Sequence, residues 1–298
     1  MRHRSGRKSS NRIWRPHEWD KVVARVFVTE PRSRTTEHTH HLQVELNSSR
    51  LRIGSVPYLN AAPLTWGLEK HITFCPPAVL AGKLRSGEVD AGLVSVTEVL
   101  FNDRYDILDG IAVASRGEVQ SVFLAHRGPI ELARRVHCDP ASLTSVNLLR
   151  LLLAERGLHP EFRPLPIGFP RELPDAFLLI GDRALRFRQA PRSHALWDLG
   201  QAWHEAYRLP FVYAVWALRR GVHTKELRNQ LYAARDAGLA SIESIVSRNH
   251  DFPGGFVRQY LQCHLRYELG AEEKRGLATF ASLLATRSSR IYRPRYVD

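Results

Sequence analysis

The side chains best suited to chemistry stand in a few polar loops, and the first lies near position 50. Arg52-Ile53-Gly54-Ser55-Val56 alternates as a short strand, breaks at Gly54-Ser55 and stops at Pro57. The chain then presents Tyr58 and Asn60 and restarts at Ala61-Ala62-Pro63-Leu64, where proline suits the first turn of a helix. A strand that ends in a polar loop before a helix N-terminus is where open α/β sheets place their ligands. One amide, that of Asn60, can there both donate to a bound molecule and accept from it. Capping the following helix is the other use of the same residue, and spacing leaves both open.

Other loops add hydroxyls. Ser115-Arg116-Gly117 joins a hydroxyl to a glycine suited to close backbone approach, and Ser121 stands at the mouth of the next strand. Thr144, Ser145 and Asn147 open a helix, where free N–H groups and the helix dipole favour a carboxylate. Each hydroxyl there can equally be an N-cap. Asp182 follows an apolar strand in Ile180-Gly181-Asp182. Acid chemistry, an ion pair with Arg183 or Arg186, and a helix cap all fit it. Trp203 and Trp216 sit in apolar company and read as core.

These loops need elements to hold them. From residue 51 strands and helices alternate, with strands predicted at Leu51–Val56, Ile72–Phe74, Ala91–Val94, Ile107–Ala114, Ser121–His126, Glu161–Leu165, Ala176–Ile180 and Phe211–Ala217. Helices fit Pro63–Leu68, Pro77–Ser86, Ser145–Arg156 and Gln201–Tyr207. That alternation indicates α/β layers. Beyond Arg219 the apolar spacing turns to three and four over Thr224–Arg248, Gly254–Leu269 and Glu272–Thr286, a helical tail. The helix, Gly turn and buried strand of Ala81–Leu93 resemble an element of the two-lobed periplasmic-binding-protein (type II) fold. That resemblance implies a cleft between lobes, with the chain crossing twice, near Ser121–His126 and near Phe211–Ala217. One lobe would hold residues 51–120 and 211–298, the other residues 121–210.

Bulk properties exclude several classes. Net charge is +13, and residues 1–50 hold eleven Lys/Arg against five Asp/Glu. The basic residues lack the interleaved aromatics and the motif spacing of nucleic-acid binders, so no nucleic-acid partner is expected. No apolar run is long enough to cross a bilayer, and the N-terminus lacks the apolar core of a signal peptide, so no membrane association is expected. Three widely spaced cysteines, Cys75, Cys138 and Cys263, suit a reducing cytoplasm. His38, His40 and His41 lack a partner carboxylate or cysteine, and no metal site is expected. Without a phosphate loop, paired-cysteine motif or nucleophile elbow, no cofactor is expected. Residues 1–50 are polar and without apolar period, and read as a disordered extension outside the fold. Oligomeric state is left open.

Several blocks together are similar to the chorismate dehydratases of the futalosine route to menaquinone. They are Arg52–Asn60, Ser115–Val122, Asp139 with Ser142, Thr144 and Ser145, Ile180–Leu185, Asp198–Trp203 and Leu209–Trp216. The resemblance implies a cytoplasmic lyase that removes water from chorismate to give a carboxyvinyloxy-benzoate. It assigns Asn60 and Ser121 to catalysis. Ser55, Tyr58, Ser115, Gly117 and Val119 would contact substrate, as would Thr144, Ser145, Asn147 and Asp182. Departures exist: Tyr207-Arg208 replaces the family's Thr-Gly, Leu143 a common Arg and Ser95 a frequent Pro. None of the fourteen histidines falls in a block, although histidine is the most frequent general base. The substrate's own enolpyruvyl carboxylate is the expected base instead, with Asn60 orienting it. The sister dihydroxynaphthoate synthase typically opens on Pro-Asn-Asp-Thr, against Tyr58-Leu59-Asn60-Ala61 here. A cytoplasmic module that binds an aromatic acid without turning it over is the alternative from another class.

Overall fold

The structure, a computed structural model, describes residues 51–166, 172–222, 224–288 and 290–298; the expected extension over residues 1–50 lies outside them. The first strands are β1 (Ile53–Ser55), β2 (Ile72–Phe74), β3 (Ala91–Ser95) and β4 (Tyr105–Ser115). Next come β5 (Val122–His126), β6 (Arg135–Cys138), β7 (Glu161–Pro164), β8 (Ala176–Ile180) and β9 (Ala195–Asp198). The last are β10 (Phe211–Arg219) and β11 (Tyr296–Val297). One sheet runs β11-β4-β10-β3-β1-β2 and the other β7-β6-β8-β5-β9. β1 is parallel to β2 and β3, while β10 runs antiparallel to both β3 and β4. In the second sheet β6 is parallel to β7 and β8, and β5 is antiparallel to β8 and β9.

Helices cover the faces. The described ones are α1 (Ala62–Thr65), α2 (Pro77–Ser86), α3 (Val96–Phe101), α4 (Leu143–Glu155), α5 (Gly181–Gln189) and α6 (Leu199–Tyr207). They continue as α7 (Lys225–Ala240), α8 (Ile242–Arg248), α9 (Gly254–Gln259) and α10 (Ala271–Ala285), with a π-helical turn at Tyr260–His264. β8 is buried along its whole length, which explains its unbroken apolar run: a strand covered on both faces has no polar side to alternate with.

The chain passes between the sheets twice, and the passages lie side by side. It leaves the first sheet after Ser115 and joins the second at Val122; it returns through α6 to Phe211, which pairs with Ser115. Fully buried Trp203 on α6 packs its ring against Phe211 and Phe280 and donates its indole N–H to the Pro210 carbonyl at 3.2 Å. Trp216 is fully buried too, so both tryptophans are core.

Four short elements escaped the pattern reading, namely β6, β9, α3 and α5. β6 and β9 are four residues each, too short for alternation to show. α5 carries three arginines along a thin apolar stripe of Ala184, Leu185 and Phe187. The two-residue β11 carries no pattern at all. The helix expected through Leu269 stops at His264, because Arg266 exchanges backbone hydrogen bonds with Ala114 at 2.8 and 2.9 Å on the open edge of β4. Leu261, Leu265 and Leu269 mimic a helical period, but the unpaired edge claims the segment.

α10 lies close against the second passage. A Cβ on Gly276 would stand 2.0 Å from the Pro210 carbonyl oxygen, and backbone cannot yield as a flexible side chain can. Gly276→Ala is therefore expected to cost about 1–3 kcal/mol, more than offsetting the usual helix-propensity gain of alanine. A thermal melt checks this; an unchanged or raised midpoint would show that α10 is not held there.

Candidate functional site

The first passage is built on one carboxylate. Asp198, at the end of β9, accepts the N–H groups of Val119 at 3.1 Å and Gln120 at 2.8 Å, and also caps α6 through Gly200 and Gln201. Gln120 takes a left-handed φ of 64°, uncommon outside glycine, and the Asp198 bonds hold it there. Burial raises the Asp198 carboxyl, while the surrounding N–H groups pull it back down. Ser121 emerges directly after this clamp, 1% exposed, and its Oγ accepts from the Tyr260 hydroxyl at 2.8 Å. Ser115 donates to the Gly117 carbonyl at 3.2 Å and shares a 3.1 Å hydrogen bond with the Tyr213 hydroxyl.

Asn60 lies in a short 3-10 turn, Leu59–Ala61, and does not cap α1. The turn is anchored from the second sheet. Asp182 Oδ1, in the first turn of α5, accepts the Leu59 N–H at 3.0 Å, while the Gly181 N–H beside it extends the β5–β8 ladder to the Ser121 carbonyl at 2.8 Å. Gly181 has φ +59°, and a Cβ there would come within 3.1 Å of the Tyr58 ring, so glycine is required on both counts. Of the uses open to Asp182, the structure shows the backbone anchor. Arg186 instead pairs with Asp251 at 2.6 Å, and Arg183 faces Asp139 at 3.5 Å. Burial pushes the Asp182 carboxyl up to about 6, against the Leu59 N–H and the Arg186 charge, which both lower it.

At the start of α4 the cap is Ser142, whose Oγ accepts the Ser145 N–H at 3.1 Å. The Thr144 N–H goes to Ser95 Oγ at 3.3 Å. Thr144 Oγ1 accepts the Thr97 N–H at 3.1 Å and also bonds the hydroxyls of Ser95 and Thr97. Two of the N–H groups expected to meet a carboxylate are thus already satisfied by hydroxyls, and Thr144 joins the second sheet's helix to the end of β3.

Between the sheets lies a cavity with about 620 Å³ of space free of protein atoms, open mouth included. Of the expected residues, Tyr58, Asn60, Val119, Ser121 and Ser145 line it. Ser55, Ser115, Gly117, Thr144, Asn147 and Asp182 are not among its lining residues; Ser55 and Asn147 are fully buried. Pattern reading had not assigned Ser95, Ser142 and Tyr213 to the wall, nor Tyr260 to the cluster behind it. Ser142 was legible as the residue three before Ser145, a cap spacing; Tyr260 carries no local signal at all, being 139 residues from its partner Ser121. Apolar residues such as Val56, Leu93, Val113, Ile180 and Leu265 form much of the rest of the wall, and none of the described lining residues is Asp, Glu, His, Lys or Arg. Such a site binds and polarises through neutral hydroxyls and an amide. Among the described residues, no group of three or more His, Cys, Asp or Glu could hold a metal, and no helix is long and apolar enough to cross a membrane.

Two sheets joined by paired passages around a cleft define a periplasmic-binding-protein-like fold. A solved protein from Archaeoglobus fulgidus shares it at TM-score 0.64 and 18% identity, over 80% of this chain and 98% of that one. The aliphatic sulphonate binding protein SsuA from Escherichia coli shares it at TM-score 0.52 and 16% identity, over 83% and 93%. More specifically, the menaquinone biosynthesis family matches residues 51–286. The chain is also 34% identical over 267 residues to the chorismate dehydratase of Thermus thermophilus, covering 81% of this chain and 98% of that protein. The chain belongs to the menaquinone biosynthesis family.

The Asp182 carboxyl provides a pH test. Its pKa is higher folded than the ordinary carboxylate value, so folding takes up a proton and stability falls as pH rises from about 4 to about 6. Asp182→Asn keeps an acceptor for the Leu59 N–H without the buried charge. It is expected to stabilise the protein by about 1–3 kcal/mol above pH 6, with the gain shrinking toward pH 4. Melting curves at the two ends measure this; a gain that grows on acidification would reverse the assignment.

Proposed function

We propose that the protein is a chorismate dehydratase, converting chorismate to 3-[(1-carboxyvinyl)oxy]benzoate on the futalosine route to menaquinone, in the cytoplasm. Beside the family, the observation that carries this reading is the cavity wall, where Asn60 and Ser121 meet among apolar residues with no ionisable side chain but tyrosine. Chorismate brings two carboxylates and a ring hydroxyl, all matched by neutral donors. Loss of water breaks one ring C–H bond and one C–O bond and leaves an aromatic ring.

No lining residue is basic enough near neutrality to take the ring proton. The substrate's enolpyruvyl carboxylate lies close to that carbon and takes it; the hydroxyl departs with a proton as water. Intramolecular placement can be worth an effective molarity of about 10⁵ M or more, so a weak base suffices. In this scheme Asn60 orients the carboxylate and Ser121 donates to the departing hydroxyl. Tyr58, Val119 and Ser145 shape the wall around the ring. Ser55, Ser115, Gly117, Thr144, Asn147 and Asp182 support it from behind. The lobes are residues 51–120 with 211–298, and residues 121–210, hinged at the two passages so that closure excludes water.

Incubation with chorismate, followed in the ultraviolet, tests the reading: the aromatic product is expected. Asn60→Ala should lower kcat by about 10²–10³ with modest change in KM, while Asp182→Asn retains substantial turnover. Loss of turnover in a folded Asp182→Asn protein, with Asn60→Ala active, would overturn the substrate-assisted scheme. Tight binding of chorismate without product would favour a binding module, a reading the SsuA-like fold keeps in view. Closure is checked by small-angle scattering with a non-reactive analogue; an unchanged radius of gyration at saturation counts against it.

A further inference from the structure

The geometry points to Tyr260 as a positioning residue of the dehydration, setting the direction of the proton on Ser121; this rests on the chorismate reading above. Tyr260 begins the π-helical turn that follows α9. Such turns are rare and are found frequently at functional sites. The residue is 1% exposed, and its ring lies parallel to Phe256 with centroids 6.1 Å apart, so its hydroxyl is held in place.

A phenol has one proton to give. At Tyr260 that proton goes to Ser121 Oγ at 2.8 Å. One consequence follows for the cavity, which Ser121 lines and Tyr260 does not. Ser121, already accepting from Tyr260, keeps its own proton for an oxygen in the cavity. The pair Tyr260 to Ser121 is therefore polarised one way, the phenol's donation strengthening that of the serine, and ends at the departing hydroxyl.

The same turn grips the passage that carries Ser121. His264 Nδ1 lies 3.1 Å from the Glu118 carbonyl, which can only accept, so that nitrogen bears the proton. Nε2, 2.6 Å from Gln120 Nε2, then accepts from the Gln120 amide. Tyr260 and His264 together hold residues 118–121 from one side, while Asp198 holds them from the other. The C-terminal helical region thereby becomes part of the catalytic apparatus rather than a scaffold beneath it.

Steady-state kinetics of Tyr260→Phe, Ser121→Ala and the double variant with chorismate test this. Tyr260→Phe is expected to lower kcat about 10–100-fold with KM changed less than about threefold. In the Ser121→Ala background the same change should cost only a few-fold, because the proton it directs is gone. Wild-type kcat in Tyr260→Phe, or single losses that multiply in the double variant, would overturn the inference. A wild-type protein that leaves chorismate unchanged would overturn the functional reading instead. Should Tyr260→Phe fail to fold, 3,5-difluorotyrosine at position 260 retains the ring and its hydroxyl. Its more acidic phenol should move the alkaline limb of the kcat–pH profile to lower pH, and an unmoved profile would refute the role.

Discussion

The whole site depends on the Asp198 carboxylate. Four backbone N–H groups converge on it: Val119 and Gln120 from the first passage, Gly200 and Gln201 from the start of α6. Those of Val119 and Gln120 lie where the chain belongs to neither sheet, so no ladder can satisfy them, and an unpaired buried N–H is costly. By accepting them Asp198 makes the sharp path through Gln120 tenable and delivers Ser121 to the cavity wall. Desolvation of the carboxylate is the cost of that arrangement, and hydrogen bonds to its charged form offset it.

Around this clamp polar contacts stitch the two sheets beside an apolar core that runs through both, from Val94 and Val113 to Leu124 and Leu178. Leu59 to Asp182, and Thr144 to Ser95 and Thr97, each join one sheet's loop to the other's. Bonds of this kind are individually worth about 0.5–1.5 kcal/mol and can be exchanged for water. They suit the cleft closure proposed above. The apolar walls supply the complementary part, a low-dielectric space in which a few neutral dipoles act strongly on a charged ring substrate.

The absence of Asp, Glu, His, Lys and Arg among the described lining residues also explains why the familiar search for an acid–base pair leads away from the site. Asp182 is the nearest thing to a tuned acid, with its carboxyl near 6, yet it faces a backbone N–H. Its raised value reflects burial under a loop and not poise for proton transfer, a reminder that structural anchors shift pKa as readily as catalytic groups do.

Much of this was legible in the chain itself. Buried strands such as β8 read directly from unbroken apolar runs, and the Asn60 loop from a strand that ends on polar residues before a proline-led helix, because both signals are local. The motif blocks placed the family, and with it the lyase chemistry. What spacing could not decide was which of two uses each polar residue takes. Asn60 against a cap, Asp182 against an arginine, Thr144 against a ligand: each turns on partners from distant segments. The part played by Tyr260 lay furthest out of reach, since its partner Ser121 comes from the first half of the chain and only folding brings a C-terminal π-helical turn against it. Local sequence determines the elements and the loops between them; the direction of a hydrogen bond between distant segments exists only once tertiary packing has fixed both.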